Sequence, residues 1–222
     1  MQEILLILIW ILVTLSIVSI IVLLSKKYGF ELISVILASL VVISNILANK
    51  IVLFGSFIVS AGVIAYSITF MLTNILAELY GKKVAKRAVF FGFCANIILV
   101  LTIYIAILWK PAPFALETSE MFAKVLGLTP RIVLASLIAY LISHYFDIYF
   151  YLFWKKVTKD KFLWLRNNFS TILSQLIDSI FFISIAFYGI APLIPLITGQ
   201  FIIKVIISIL STPFIYLIIR KN

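Results

Sequence analysis

The chain has 222 residues, of which 64% are hydrophobic and only 12% charged, and its mean hydropathy is +1.25. Soluble proteins hold roughly 45–50% apolar and about 25% charged residues, so soluble enzymes, disordered tails and secreted disulfide scaffolds are excluded. Cys94 is the single cysteine, which removes an intrachain disulfide and any Cys-rich metal site. The formal net charge of +10 lies between apolar blocks, where it reads as a topology signal, and no nucleic-acid partner is expected.

The apolar blocks predict an all-α integral membrane protein, one polytopic domain over residues 1–222 built as a bundle of about seven transmembrane helices. In chain order the spans fall near Ile4–Leu24, Leu32–Leu53, Phe57–Tyr80, Ala88–Trp109, Pro130–Trp154, Phe169–Tyr188 and Leu196–Ile219. Each holds about 20 to 25 residues, about 30 Å or more of helix, enough to cross a bilayer. The runs are continuously apolar rather than alternating, which favours helices over a β-barrel. The first span lacks a basic leader (it opens Met1-Gln2-Glu3) and an Ala-x-Ala cleavage site, so it reads as a membrane helix and not a signal peptide.

Orientation follows from Lys and Arg. Lys26 and Lys27 follow the first span, and Lys82, Lys83, Lys86 and Arg87 follow the third. Lys155, Lys156, Lys159, Lys161 and Arg166 follow the fifth, and Arg220 and Lys221 end the chain. That is 13 of the 18 basic residues on one face. This predicts a multi-pass protein of the cytoplasmic (inner) membrane with its N-terminus outside and its C-terminus in the cytoplasm. The one sizeable outer loop, Lys110 to Thr129, carries Met121, Phe122, Val125 and Leu126 at helical spacing. That pattern suits a helix lying in the interface, or a lid over an outward-facing site. Thr129-Pro130 reads as a cap and first helical residue.

Charges at the bilayer centre cost roughly 2.5–3.5 kcal/mol each on insertion scales, so each needs a reason. Lys50, Glu78, Asp147, Asp178 and Lys204 lie within the spans, together with the only histidine, His144. Ser67, Asn74 and Glu78 share one face of the third span, where Glu78 can also pair with Lys82. Tyr140, His144, Asp147 and Tyr151 share one face of the fifth. The sixth is the most polar, with Asn167, Thr171, Ser174 and Asp178 on one side and Asn168, Gln175 and Ser179 beside it. The seventh aligns Gln200, Lys204, Ser208 and Ser211 ahead of Pro213, a kink candidate, and a buried Lys204–Asp178 ion pair is the simplest structural reading. Asn45, Asn49 and Lys50 approach the outer end of the second span. Polar faces on several helices at membrane depth predict a shared cavity that binds a polar solute. Its expected lining is Asp178, Gln175, Asn74, Glu78, Lys204 and Asn45, with His144 and Asp147 as candidates for proton handling.

The stretch SITFMLTNILAELYGKKVAKR (Ser67 to Arg87) resembles a signature of the queuosine precursor transporters, the vitamin uptake transporter family. RNNFSTILSQLIDS (Arg166 to Ser179), KVIISILSTPFIY (Lys204 to Tyr216) and NILANK (Asn45 to Lys50) are similar to further signatures, in the family's order. Asn74 departs from the aspartate expected there, which leaves the coupling ion and the exact substrate open. The resemblance implies uptake of 7-deazaguanine precursors such as preQ0 or preQ1, with queuine carried by some members. The chemistry suits the lining: a guanine-like edge presents N–H donors beside a carbonyl, which a carboxylate and an amide can meet. Asp178 with Gln175 is the leading pair, and Asn74 with Glu78 the second.

No G-x-x-x-x-G-K-[ST] motif occurs, so the chain hydrolyses no nucleotide by a P-loop. Proton coupling, passive entry, or a separate energising module stay open, as does homo-oligomer formation. No cofactor and no metal are expected. The competing readings are a transporter of another small heterocyclic, vitamin-like solute, a structural or channel subunit, and an intramembrane hydrolase. His-E-x-x-His and G-x-S-x-G are both absent, leaving the hydrolase only an imagined Ser174–His144 dyad, so the chain does not read as an enzyme.

Overall fold

The computed structural model describes residues 2–127, 130–189 and 192–221, with side chains at 2–4, 26, 130, 133 and 220–221 excepted. Its helices are α1 (Gln2–Leu23), a short α2 (Ser25–Tyr28), α3 (Phe30–Leu47), α4 (Val63–Leu79), α5 (Gly81–Leu108), α6 (Leu116–Leu126), α7 (Pro130–Val157), α8 (Leu163–Phe187) and α9 (Leu193–Lys221). Between α3 and α4 stands a hairpin of β1 (Ile51–Phe54) and β2 (Phe57–Ser60). Among the described residues, six helices (α1, α3, α5, α7, α8 and α9) are long and apolar enough to cross a membrane, and α4 is a shorter apolar helix of 17 residues.

The second and third predicted spans need correction. Helix α3 stops at Leu47 instead of Leu53, and α4 starts at Val63 instead of Phe57. The residues between them pair antiparallel, Ile51 with Ser60 through Phe54 with Phe57, around Gly55-Ser56. Gly55 sits at φ +61, as a two-residue hairpin turn requires. Hydropathy cannot separate these runs from helix, because Ile-Val-Leu-Phe suits either a buried strand or a membrane span.

Non-helical backbone in a membrane protein is tolerated where protein covers it, and α9 covers the second strand of the hairpin, while Ile51 and Leu53 of β1 stay exposed. Helix α9 packs against β2, and a Cβ at Gly199 would stand only 2.8 Å from the Ile58 carbonyl oxygen. The hairpin's base is equally close to α3, since a Cβ at Gly62 would fall 2.2 Å from the Ser44 carbonyl oxygen. Gly62→Ala is therefore expected to destabilise the protein despite alanine's better helix propensity, by about 1–3 kcal/mol of overpacking. Thermal unfolding in detergent should show a midpoint several degrees lower; an unchanged midpoint would refute the tight contact.

Helix α4 is the axis of the bundle. Fourteen of its 17 residues are buried, and it touches α3, α5, α7, α8 and α9. A helix enclosed by other helices faces little lipid, so it need not match the bilayer thickness. Around it, α7 and α8 form the most extensive helix pair. Helices α5 and α7 approach closely at Gly92, where a Cβ would meet the Tyr140 hydroxyl. Helix α5 begins at Gly81, earlier than the predicted Ala88, so Lys82, Lys83, Lys86 and Arg87 occupy its first turns. Pro213 lies inside α9, which continues through it as helix. Helix α6 has no buried residue and lies against α5. Pro130 opens α7, whereas Thr129, its expected cap, falls outside the described residues.

Candidate functional site

The polar residues of α4 form a spine from Tyr66 to Glu78, about 18 Å by helical rise, and nearly every member has a partner on α7 or α8. At the upper end, near the hairpin, Asp178 of α8 gathers three donors. Tyr66 donates its hydroxyl to Oδ1 at 2.6 Å, Ser143 of α7 donates to the same oxygen at 3.1 Å, and the Lys204 ammonium of α9 bonds Oδ2. Lys204 is fully buried; it also donates to Ser179 at 3.1 Å and stands 5.2 Å from the Tyr66 ring centre. The pairing expected between Lys204 and Asp178 thus forms, and it joins α8 to α9.

Asp178 and Tyr66 open onto a cavity between the upper parts of α3, α4, α7, α8 and α9. Ser44, Asn45, Ser60, Ser136, Phe182 and Gln200 complete much of its wall, and no residue of α6 lines it. The cavity measures about 340 Å3 counting its open mouth, with room in its narrow part for about one or two waters. Asn45 is held in its wall, donating to Asn96 and accepting from the Ser136 hydroxyl at 2.7 Å. A second, more apolar crevice runs on the other side of Asn45, between α3, α5 and the end of α6.

Below Asp178 the spine continues. Thr69 Oγ1 lies 3.2 Å from Nε2 of His144, whose ring stacks on Phe70 at 4.2 Å. Thr73 donates to Asp147 at 3.3 Å, and Thr171 donates to the other oxygen at 3.5 Å. His144 and Asp147, expected as a pair, are each buried but bond different threonines of α4. Asn74 donates to Asn167 at 3.0 Å and to Thr171 at 2.9 Å, which ties α4 to α8.

The lower end is closed by charge. Glu78 accepts from the Tyr151 hydroxyl at 2.9 Å and from Arg166 at 2.6 Å, with Lys155 at 3.1 Å. Asp160, in the turn between α7 and α8, lies 3.7 Å from Arg166 and 3.6 Å from Lys155. Glu78 is therefore paired across the bundle to α7 and α8 rather than to Lys82, whose ammonium instead sits 3.8 Å above the Tyr149 ring. Arg166 is only 3% exposed; such a guanidinium needs several acceptors to offset its desolvation.

Among the expected lining residues, Asp178 and Asn45 face the upper cavity, and Lys204 reaches it through Asp178. Asn74 lies below, and Glu78 lies lower still. Gln175 is fully buried on α8, and neither its oxygen nor its nitrogen has a partner among the described residues. Lys50 is exposed between α3 and β1. Sequence reasoning missed Tyr66 and Ser143, the two hydroxyls on Asp178. Tyr66, Thr69 and Thr73 recur at three and four residues, a polar stripe that was legible, whereas Ser67 spends its hydroxyl on its own helix at Val63.

Comparison with known proteins bears on this arrangement. Residues 60–218 match the family described as "Putative vitamin uptake transporter", a segment that contains α4 and the whole polar axis. The chain is also 31% identical over 179 residues to the "Probable queuosine precursor transporter" of Bacillus subtilis (strain 168), covering 79% of this chain and 78% of that protein. No solved structure matches it. With its long apolar helices it is a multi-pass membrane protein, and both the extent of the family match and the identity to the Bacillus protein place this chain in the vitamin uptake transporter family.

Proposed function

We propose that the protein imports 7-deazaguanine precursors of queuosine, preQ0 or preQ1, across the cytoplasmic membrane. The observation that carries the substrate is the 31% identity, over most of both chains, to a protein named as a queuosine precursor transporter. The buried polar axis along α4 is the physical support. A structural subunit has no need for so many hydrogen-bonding groups at membrane depth, and a polar solute does. The chain acts as a transporter and not as an enzyme, as one polytopic unit in which α4 counts as a seventh, enclosed membrane helix.

In this reading the N-terminus is outside and the C-terminus in the cytoplasm, with the basic ends of α5, α7 and α9 on the inner face. The cavity at Asp178 is the outer vestibule, and the Glu78–Arg166 cluster is the inner seal. Asp178, Lys204, Asn45, Gln175 and Asn74 contact the solute in passage. Tyr66, whose hydroxyl bonds Asp178, also offers an aromatic face at the cavity for a flat ring. Asp147 and His144, buried beside the path, are the groups for proton coupling.

A bacterium unable to synthesise queuosine, given this protein, is expected to regain queuosine-modified tRNA at low external preQ0 or preQ1. Unmodified tRNA despite verified membrane insertion would refute the substrate. Collapse of uptake by a protonophore is the expected sign of proton coupling, and full insensitivity would reject it.

A further inference from the structure

We infer that a second solute station lies below Asp178, where the amides of Gln175 and Asn74 read the hydrogen-bonding edge of a planar heterocycle on the α4–α8 seam. The inference rests on the transport reading above and locates the recognition within it. Asp178 alone cannot serve both N–H donors of such an edge: Tyr66, Ser143 and Lys204 already bond its two oxygens. A carboxylate offers about four acceptor positions, so it cannot take two new donors without losing a bond it has.

Unused hydrogen-bonding capacity sits elsewhere. Gln175 is 0% exposed and, among the described residues, has no partner for either Oε1 or Nε2, and Asn74, 1% exposed, has none for Oδ1. Register places Gln175 at the α9 side of that seam. Asn168, Gln175 and Ser179 follow one another at seven and four residues, on one stripe of α8. Asn168 bonds Thr212 and Ser179 bonds Lys204, so Gln175 lies between two contacts with α9. On its other flank, Thr171 is one turn away and accepts from Asn74. Two helices thus present two acceptors and one donor group that the described residues leave unmatched.

The chemistry is specific. An unmatched buried amide is costly, and burial of two in one seam is explained if a ligand supplies the missing bonds. Two amide oxygens accept from the ring N–H and exocyclic NH2 of a guanine-like edge, and the Gln175 NH2 donates to the carbonyl beside the ring N–H. A seam whose amides gain bonds when the solute arrives also opens more readily than one that must first break them.

The test uses purified full-length protein in detergent, with preQ0, preQ1 and guanine as probes and the thermal midpoint as readout. Gln175→Met keeps length and shape and removes the amide. Without ligand, Gln175→Met is expected to melt at or above the wild-type midpoint, because an unmatched polar group has been replaced by an apolar one. With preQ1 its apparent affinity is expected to fall about 10- to 100-fold, the loss of the edge contact. A variant that melts well below wild type without ligand overturns the inference, since its amide would then be bonded within the protein. So does a wild-type response to preQ1 that Gln175→Met keeps; in that case the transport reading stands. A wild-type protein that responds to none of the three probes overturns both.

Discussion

Asp178→Asn is expected to abolish uptake and to lower stability by about 3–5 kcal/mol, the usual cost of removing one partner from a buried ion pair. The reason is Lys204. Its ammonium is fully enclosed, and Asp178 is the one carboxylate it meets among the described residues. Asparagine would leave that charge facing an amide and the Ser179 hydroxyl. The double variant Asp178→Leu with Lys204→Met separates the two roles, because replacing a buried pair by apolar groups of similar volume is often neutral or stabilising. The double variant should recover most of the thermal stability and still import nothing. Uptake by the double variant would show that the pair only holds α8 to α9.

Glu78→Gln is the second variant with a large expected effect, about tenfold or more in uptake. Glu78 ties α4 to Arg166 and Tyr151, and Lys155 joins from the end of α7. Breaking this cluster favours whichever conformation parts α4 from α8 at the basic end, and each 1.4 kcal/mol removed shifts that ratio about tenfold. A cysteine at Asn74, in a Cys94→Ser background, reports the seal. It should resist a membrane-impermeant thiol reagent applied from the cytoplasm when Glu78 is intact, and react with it in Glu78→Gln. A cysteine that stays unreactive in both would remove the seal from the mechanism. Lys155→Gln serves as the contrast: that lysine is 28% exposed, and pairs open to solvent contribute about 0–1 kcal/mol, so uptake should change little.

Several features could be read directly from the residues. Runs of some twenty continuously apolar residues become helices in lipid, since only helices and closed barrels satisfy their backbone there and barrel strands alternate, and α1, α5, α7, α8 and α9 fall where those runs lie. Helical spacing placed Asp147 and His144 on one face of α7, and Thr171 and Asp178 on one face of α8, because a helix repeats every 3.6 residues whatever surrounds it. The Lys204–Asp178 pair was also foreseeable, as two opposite charges that must both be buried have strong reason to meet.

Tertiary structure decided the rest. Hydropathy is a sum over neighbours in the chain, so it could not distinguish the β1–β2 hairpin from helix; what packs against its second strand is α9, some 140 residues further on. The same holds for hydrogen bonding. Tyr66 lies 112 residues from Asp178 and Asn74 lies 97 from Thr171, and only packing brings them within 3 Å. That is why the order of importance among the polar residues was hidden: side-chain type tells what a group can bond, whereas the three bonds at Asp178 and the unmatched amide at Gln175 depend on which distant groups the fold delivers to each.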